Sequence, residues 1–413
     1  MALLSDCYPP RTGGIESQVS DLAAHLVMAG HEVEVFTATA ATLGGRGARP
    51  SAAEAATLGG RGARPSAAEA SRPGEVVHRM DTPLALGLPV NPLAVPEARR
   101  LLAEGGFDVA HVHLGVVSPF AWDMAGLATH LGLPTALTWH CVLDRAARPL
   151  GPAVRRWVER GAVLSAVSGV AAEGVRQAAK GEPVAVLPNG IDPAAWAPLV
   201  EERGTSLETR PTLAAVRGTS PTLVEVRGTS LETTPTRIVT ASRLAPRKRV
   251  GALLRVAAAA RRRLGPGAMT LDIYGEGPLR PYLEARIDAL GLTDVVRLPG
   301  RVSRAELAAA WRQADVYLSP TRLEAFGIAA LEARTAGLPV IARADSGVRE
   351  VVTDGVSGLL APDDSGLADA LVRLVADDTL RTRIAAHNRR VPPTQTWDRV
   401  VALAVDEYRR AGA

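Results

Sequence analysis

The sequence predicts an α/β protein made of two Rossmann-like, doubly wound domains that face each other across a cleft. Three observations carry that prediction. Short apolar runs alternate with segments of helical periodicity, and the whole scheme occurs twice along the chain. The runs of the second half read as continuous apolar segments, as strands covered on both faces of a parallel sheet do. The 413 residues, 47% of them apolar, provide two such domains of ~150–200 residues with sizeable cores.

In order along the first half, ALLS (2–5) is a short strand and CYPPRTGG (7–14) a loop. Ile15, Val19, Leu22 and Leu26 then share one face of a helix that Gly30 stops. EVEVFTA (32–38) alternates as a strand does. DVAHVHL (108–114), TALTWH (135–140), AVLSAVS (162–168) and VAVLPNG (184–190) are the later strands. In the second half the strands are RIVTASR (237–243), TLDIYG (270–275), VVRLPG (295–300), VYLSP (316–320) and PVIARA (339–344). Helices lie between them; Leu279, Leu283, Ile287 and Leu290 mark one. The expected division is an N-terminal domain over 1–192, a linker over 193–236 and a C-terminal domain over 237–396.

Two stretches interrupt the pattern. ATLGGRGARPSAAEA occupies 41–55 and recurs unchanged at 56–70, and RGTS occurs at 203, 217 and 227. Neither offers an apolar face that could stack on a neighbouring copy, so a solenoid is excluded. The expectation is a disordered surface insertion at 41–70 and a lengthened linker between the halves.

Composition narrows the function. Aromatics are only 4%, which leaves few platforms for stacking nucleic-acid bases, so no nucleic-acid partner is expected. Residues 1–200 carry 16 basic and 18 acidic side chains and residues 201–413 carry 31 and 25, so the positive half is the second, which fits an anionic small ligand there better than a polybasic membrane or DNA face. Only two of the 47 basic residues, Lys180 and Lys248, are lysine, which draws attention to each. The two cysteines, Cys7 and Cys141, make no disulfide framework and point to a reducing compartment. No apolar run reaches the ~18 residues of a membrane span, and no signal segment opens the chain. The expected location is cytoplasmic, with peripheral contact at the inner face of a membrane left open.

Parallel sheets bind ligands at the carboxyl ends of their strands, so the residues just past each strand are the candidates. After the first strand, Gly13 and Gly14 open a helix whose N-terminal amides favour phosphate, although the dinucleotide fingerprint GxGxxG is missing. His140 ends the strand in LTWHCVLD, where it can bond a substrate or serve structure alone. His111 and His113 alternate on one strand; a metal pair would need further ligands that the sequence does not offer. No Asp-x-Asp occurs, which weakens any scheme in which a divalent cation holds a diphosphate. SRLAPRKRV places Arg243 and Lys248 five apart on a loop leading into a helix, a planar fork and a compact point charge suited to phosphate. In YGEGPLR, Gly275 and Gly277 permit close approach at a helix start, and LPGRV (298–302) can present backbone to a base. SPTRLEAFG ends a strand, with a helix beginning near Phe326 or Gly327. Glu324 precedes that helix and Glu332 lies about one and a half turns inside it, both toward the cleft. Carboxylates accept hydrogen bonds from vicinal hydroxyls, so the layout suits a ligand with a sugar at each end and phosphates between, a nucleotide sugar.

On these motifs the chain resembles family 4 of the retaining glycosyltransferases, which have the GT-B fold. The matching segments are YPPRTGGIE, HVH, TWH, VLPNGID, SRLAPRK, YGEGPLR, VRLPGRV, ADVYLSPTRLEAFGIAALEARTAGLPVIA, DGVSGLLAPDD and TWDRV. They stand in family order and span nearly everything outside the two repeat regions. The resemblance implies a hexosyl transfer from a nucleotide-diphosphate sugar to a glycan, lipid, inositol or small-metabolite acceptor, without cofactor or metal. It implies roles as well. Gly13 and Gly14 would lie against the diphosphate or acceptor, and His140 near the transferred sugar. Arg243 and Lys248 would neutralise the diphosphate. Glu324 would contact the hexose with the amides of Phe326, Gly327 and Ile328, Glu332 would bind the ribose, and the backbone near Arg301 and Val302 would hold the base. The helix of 397–413 would cross back onto the first domain. Arg249 stands where the family often has Gly, and the opening MALLSD is a few residues shorter than the family's first strand, so a start further upstream is expected. The competing expectation is a non-catalytic GT-B scaffold that binds nucleotide sugars. A phosphorylase is opposed by the lack of any Lys after 248 to carry pyridoxal phosphate.

Overall fold

The computed structural model describes residues 1–11, 13–41, 69–72, 74–80, 94–144, 147–198 and 234–413. The first repeat copy beyond Ala41, most of the second copy, and the RGTS region lie outside the described residues.

Eight strands form the first sheet: β1 (Ala2–Ser5), β2 (Val33–Thr37), β3 (Glu69–Arg72), β4 (Glu75–Arg79), β5 (Ala110–Leu114), β6 (Thr135–Trp139), β7 (Val163–Ala166) and β8 (Val184–Val186). Their order is β3-β4-β2-β1-β5-β6-β7-β8. All pairs are parallel except β3 with β4, which is antiparallel. Helices α1 (Gly14–Met28), α2 (Ala94–Glu104), α3 (Pro119–His130), α4 (Ala147–Glu159) and α5 (Gly169–Ala178) wrap it, followed by a helical turn α6 (Pro193–Trp196). The second sheet contains β9 (Thr236–Ala241), β10 (Met269–Tyr274), β11 (Val296–Gly300), β12 (Val316–Leu318), β13 (Val340–Arg343) and β14 (Gly358–Ala361), in the order β11-β10-β9-β12-β13-β14, all parallel. Its helices are α7 (Val250–Leu264), α8 (Arg280–Ala289), α9 (Arg304–Arg312), α10 (Ile328–Thr335), α11 (Asp364–Ala376) and α12 (Asp378–Arg390). The last helix, α13 (Trp397–Arg410), places Trp397, Val400, Ala404 and Tyr408 in one buried cluster with Val19, Leu22 and Leu26 of α1.

Three of these strands are not among those expected from the sequence. β3 and β4 form a hairpin at the edge of the first sheet, and Glu69 and Ala70, the last residues of the second repeat copy, already belong to it. The expected linker likewise holds structure at both ends: α6 opens it and Thr236 already pairs with Met269. β14 closes the far edge of the second sheet.

One buried carboxylate ties the first sheet to its helices. Asp6, just past β1, accepts hydrogen bonds from the backbone N–H groups of Phe120 and Ala121, both at 3.1 Å, and so satisfies the first turn of α3 from a different element. Burial pushes its pKa up to about 6, and the two amide bonds act in the opposite direction.

Candidate active site

In each sheet the strand order reverses beside its first strand, and ligands are expected in the crevice at that switch point. In the second sheet the switch lies between β9 and β12. The segment after β9 carries Arg243 and Lys248, and the segment after β12 carries Glu324. The Lys248 Nζ stands 2.7 Å from Glu324 Oε2, so the switch point is closed by an ion pair. The two loops are held in register behind it. Residues Pro246–Lys248 form a 3-10 turn, and Arg249 comes next in the left-handed region with φ 53°. That conformation is why glycine suits the position. Arg249 offsets its strain with two bonds of 2.9 Å to the Asp364 carboxylate and one of 3.1 Å to the Pro320 carbonyl.

The glycines of YGEG let the β10–α8 connection pack closely against this loop. A Cβ on Gly275, whose φ is +123°, would lie 2.1 Å from the Ser242 carbonyl oxygen, and one on Gly277 would lie 2.4 Å from that of Leu244. Leu244 donates to the Glu276 carbonyl and accepts from the amide of Leu279. The backbone on either side of Arg243 is thus packed against the β10–α8 connection. Gly277→Ala is expected to push that backbone aside, costing ~1–3 kcal/mol in stability and lowering turnover through misplaced Arg243. Thermal unfolding and an activity assay on the same preparation check both.

The facing loops fill in the remaining wall. A cavity of about 660 Å³ lies between the two halves, lined from the first by Gly13, Gly14, His140 and Asn189 and from the second by Arg243, Lys248, Glu324, Phe326, Gly327, Ile328 and Glu332. Gly14 reaches across: a Cβ there would sit 3.0 Å from Ile328 Cδ1. Gly327, with φ +90°, lets the chain turn into α10, which starts at Ile328. Behind that turn, Gly347 donates to the Glu324 carbonyl at 2.7 Å. Val302 is not among the cavity-lining residues; it lies in the connection between β11 and α9. Arg243 is exposed and makes no ion pair among the described residues.

Glu332 is buried, only 8% exposed, and burial pushes its pKa up to about 8; Asp21 raises it further and Arg304 opposes. Those two residues form an ion pair of 2.8 Å that joins α1 of one half to α9 of the other. A second link across the halves runs from the Gly169 amide, at the N-terminus of α5, to Glu350 Oε1 at 2.8 Å.

His140 sits deeper. Burial holds its pKa down to about 4, and a hydrogen bond with the Asn189 side chain acts the other way. Its Nε2 is 3.0 Å from His113 Nδ1. His111 does not join His113 as a ligand pair; its Nδ1 meets the Tyr408 hydroxyl at 2.9 Å and its Nε2 the Thr138 hydroxyl at 2.7 Å. Asn189, just past β8 in VLPNG, carries the same strand-end signal as His140 but is not among the residues expected from the sequence. Arg247, which also lines the cavity, is hidden in the sequence by its position among three consecutive cations.

Two parallel sheets meeting at a cleft, with charge-bearing loops at the switch point, are the architecture of a GT-B glycosyltransferase. Profiles described as "Glycosyltransferase Family 4" and "Glycosyl transferases group 1" match residues 12–195 and 225–391. The chain belongs to the family-4 glycosyltransferases. Over 423 aligned residues it is 29% identical to a D-inositol 3-phosphate glycosyltransferase of Jonesia denitrificans, covering 97% of this chain and 92% of that one. It is 29% identical to the phosphatidyl-myo-inositol mannosyltransferase of Mycobacterium leprae over 78% of each chain. A stronger local match, 38% over 152 residues, is to the D-inositol 3-phosphate glycosyltransferase of Xylanimonas cellulosilytica, and it spans 36% of that protein's length. Among solved structures, Anabaena HepE in complex with UDP and glucose superposes with a TM-score of 0.68 at 17% identity, covering 98% of both chains. The sucrose-phosphate synthase of Thermosynechococcus elongatus gives 0.69 at 19%, covering 99% of this chain and 98% of that one. These two likenesses concern the fold. Among the described residues no helix is long and apolar enough to cross a membrane.

Proposed function

We propose that the protein transfers a hexosyl group from a nucleotide-diphosphate sugar, with retention at the anomeric carbon and without a metal ion, to an acceptor of the inositol class. The observation that carries the reading is the meeting of Arg243, Lys248 and Glu324 at the switch point of the second sheet, facing His140 across one cavity. Cleaving the glycosyl–phosphate bond builds negative charge on the leaving diphosphate while the sugar becomes oxocarbenium-like. Arg243 and Lys248 are fixed cations where that charge develops, which is the task a divalent metal performs elsewhere. Glu324 and the amides of Phe326, Gly327 and Ile328 hold the hexose, Glu332 the ribose, and the backbone near Val302 the base. Gly13 and Gly14 close the cavity over the diphosphate from the opposite side. Retention results from attack on the face the diphosphate leaves, with a donor phosphate oxygen taking the acceptor's proton. Inositol is the acceptor chemistry that the names of the curated relatives share. The intact constellation of side chains does not favour a non-catalytic scaffold.

The test is a thermal-shift screen of purified protein against UDP-, GDP- and ADP-sugars. A ligand bound by the native state alone raises the melting temperature by mass action. One base is expected to shift it selectively, and turnover with that donor is expected to persist in EDTA. A well-folded sample that responds to none of the three would overturn the donor-site reading, and loss of turnover in EDTA the metal-free one.

A further inference from the structure

Behind His140 the structure holds a buried array of polar groups whose proton positions are set by simple counting. The Ser165 hydroxyl donates to the Leu137 carbonyl at 3.2 Å, so it accepts from Thr138 at 2.7 Å. Thr138 has then spent its hydrogen and accepts from His111 Nε2–H, which leaves His111 Nδ1 to accept from Tyr408. His111 is thereby a neutral imidazole of fixed tautomer.

The same counting extends to the neighbouring pair of rings. His113 and His140 share one hydrogen bond, Nδ1 to Nε2 at 3.0 Å, and burial keeps both rings neutral, so only one of the two nitrogens carries the proton. Asn189 lines the cavity beside His140 as a further side-chain partner, and a buried ring nitrogen without a partner is better left unprotonated than as an orphaned N–H. His113 Nε2 is buried with no hydrogen-bond partner among the described residues. His113 also lines a cavity of about 20 Å³ shared with Gln18, Thr138, His140 and Asn189, room for one water.

We propose that His113 is a positioning residue: its Nδ1–H donates to His140 Nε2, fixes His140 as the Nδ1–H tautomer bonded to Asn189, and its own Nε2 accepts from a single buried water. The orientation of His140 toward the transferred sugar is then set from behind by His113 and from the side by Asn189. This importance rests on the transfer reading above, while the tautomers themselves do not.

Nitrogen-15 shifts of the histidine rings in the full, ligand-free chain at pH 7 test the tautomers directly. The expected pattern is pyrrole-type Nδ1 and pyridine-type Nε2 at both His113 and His140. Pyrrole-type Nε2 at His113 or His140 would overturn the proposal whatever the enzyme does. The kinetic arm uses the donor selected by the thermal-shift screen. His113→Leu is expected to lower kcat about 10- to 100-fold with the donor KM little changed. His113→Asn, whose amide can donate near the Nδ1 position, is expected to recover most of that loss. His113→Gln, with its donor displaced toward the ε position, is not. Equal losses in the Asn and Gln variants, with folding intact, would reduce His113 to a packing role and sink the positioning claim.

Discussion

Purified Lys248→Ala is expected to turn over donor ~10²–10³-fold more slowly than the wild type, the loss typical of removing one preorganised donor from a developing anion. The fall belongs mainly in kcat, because the charge that Lys248 meets is larger in the transition state than in the bound donor. Two further effects add to it. Glu324 loses the ion-pair partner that stands 2.7 Å away, and so the carboxylate expected to grip the hexose loses its anchor. Of the cavity-lining cations on that loop, Arg243 and Arg247 remain to face the diphosphate. Lys248→Arg should not rescue, since a planar fork cannot occupy the space of a compact ammonium between two fixed loops. The side chain is a third exposed, so the melting temperature should change little and the loss can be assigned to chemistry. Near-normal turnover in a folded Lys248→Ala sample would remove the residue from the site.

Much of this site is legible in the sequence because it is built from residues at or just beyond strand ends. Arg243, Lys248, His140 and Glu324 stand there, and a doubly wound sheet gathers such positions along one edge; Glu332 follows inside the helix that Gly327 opens. The scarcity of lysine gives Lys248 extra weight. The parts that are not legible depend on contacts between distant segments. The Asp21–Arg304 pair joins residues 283 apart in sequence, and each is an ordinary helix-surface charge until the two halves meet. The purpose of Gly275 and Gly277 is obscure for the same reason: close approach is readable, but its target, the Ser242–Leu244 backbone, belongs to another loop. The β3–β4 hairpin is hidden because its first strand begins inside a tandem repeat whose composition reads as loop. Arg249 defies its position's preference for glycine only because Asp364 is within reach.

Glu332→Gln is expected to stabilise the ligand-free protein at pH 8 while weakening donor binding about 10- to 100-fold. The opposing effects come from one cause. Burial raises the Glu332 pKa from 4.5 to about 8, so between those values the folded state holds a proton that the unfolded state has released. Stability therefore falls as pH rises from about 4.5 toward 8, and above 8 the full penalty of the buried carboxylate, several kcal/mol, is in force. Gln cannot ionise and escapes that penalty. The melting temperatures of variant and wild type should lie close together near pH 5 and separate, with the variant higher, by pH 8. Donor affinity should show the converse. If the ionised carboxylate accepts both ribose hydroxyls, binding must release the proton, so wild-type affinity rises with pH toward 8 by at most about tenfold per unit. In Glu332→Gln that slope should vanish along with most of the affinity, since an amide offers only one acceptor oxygen. A site residue that destabilises its own fold when empty is the mark of strong selection for a ligand. Were the variant no more stable than wild type at pH 8, the buried charge would have another partner, and Glu332 would no longer be a group kept ready for the donor.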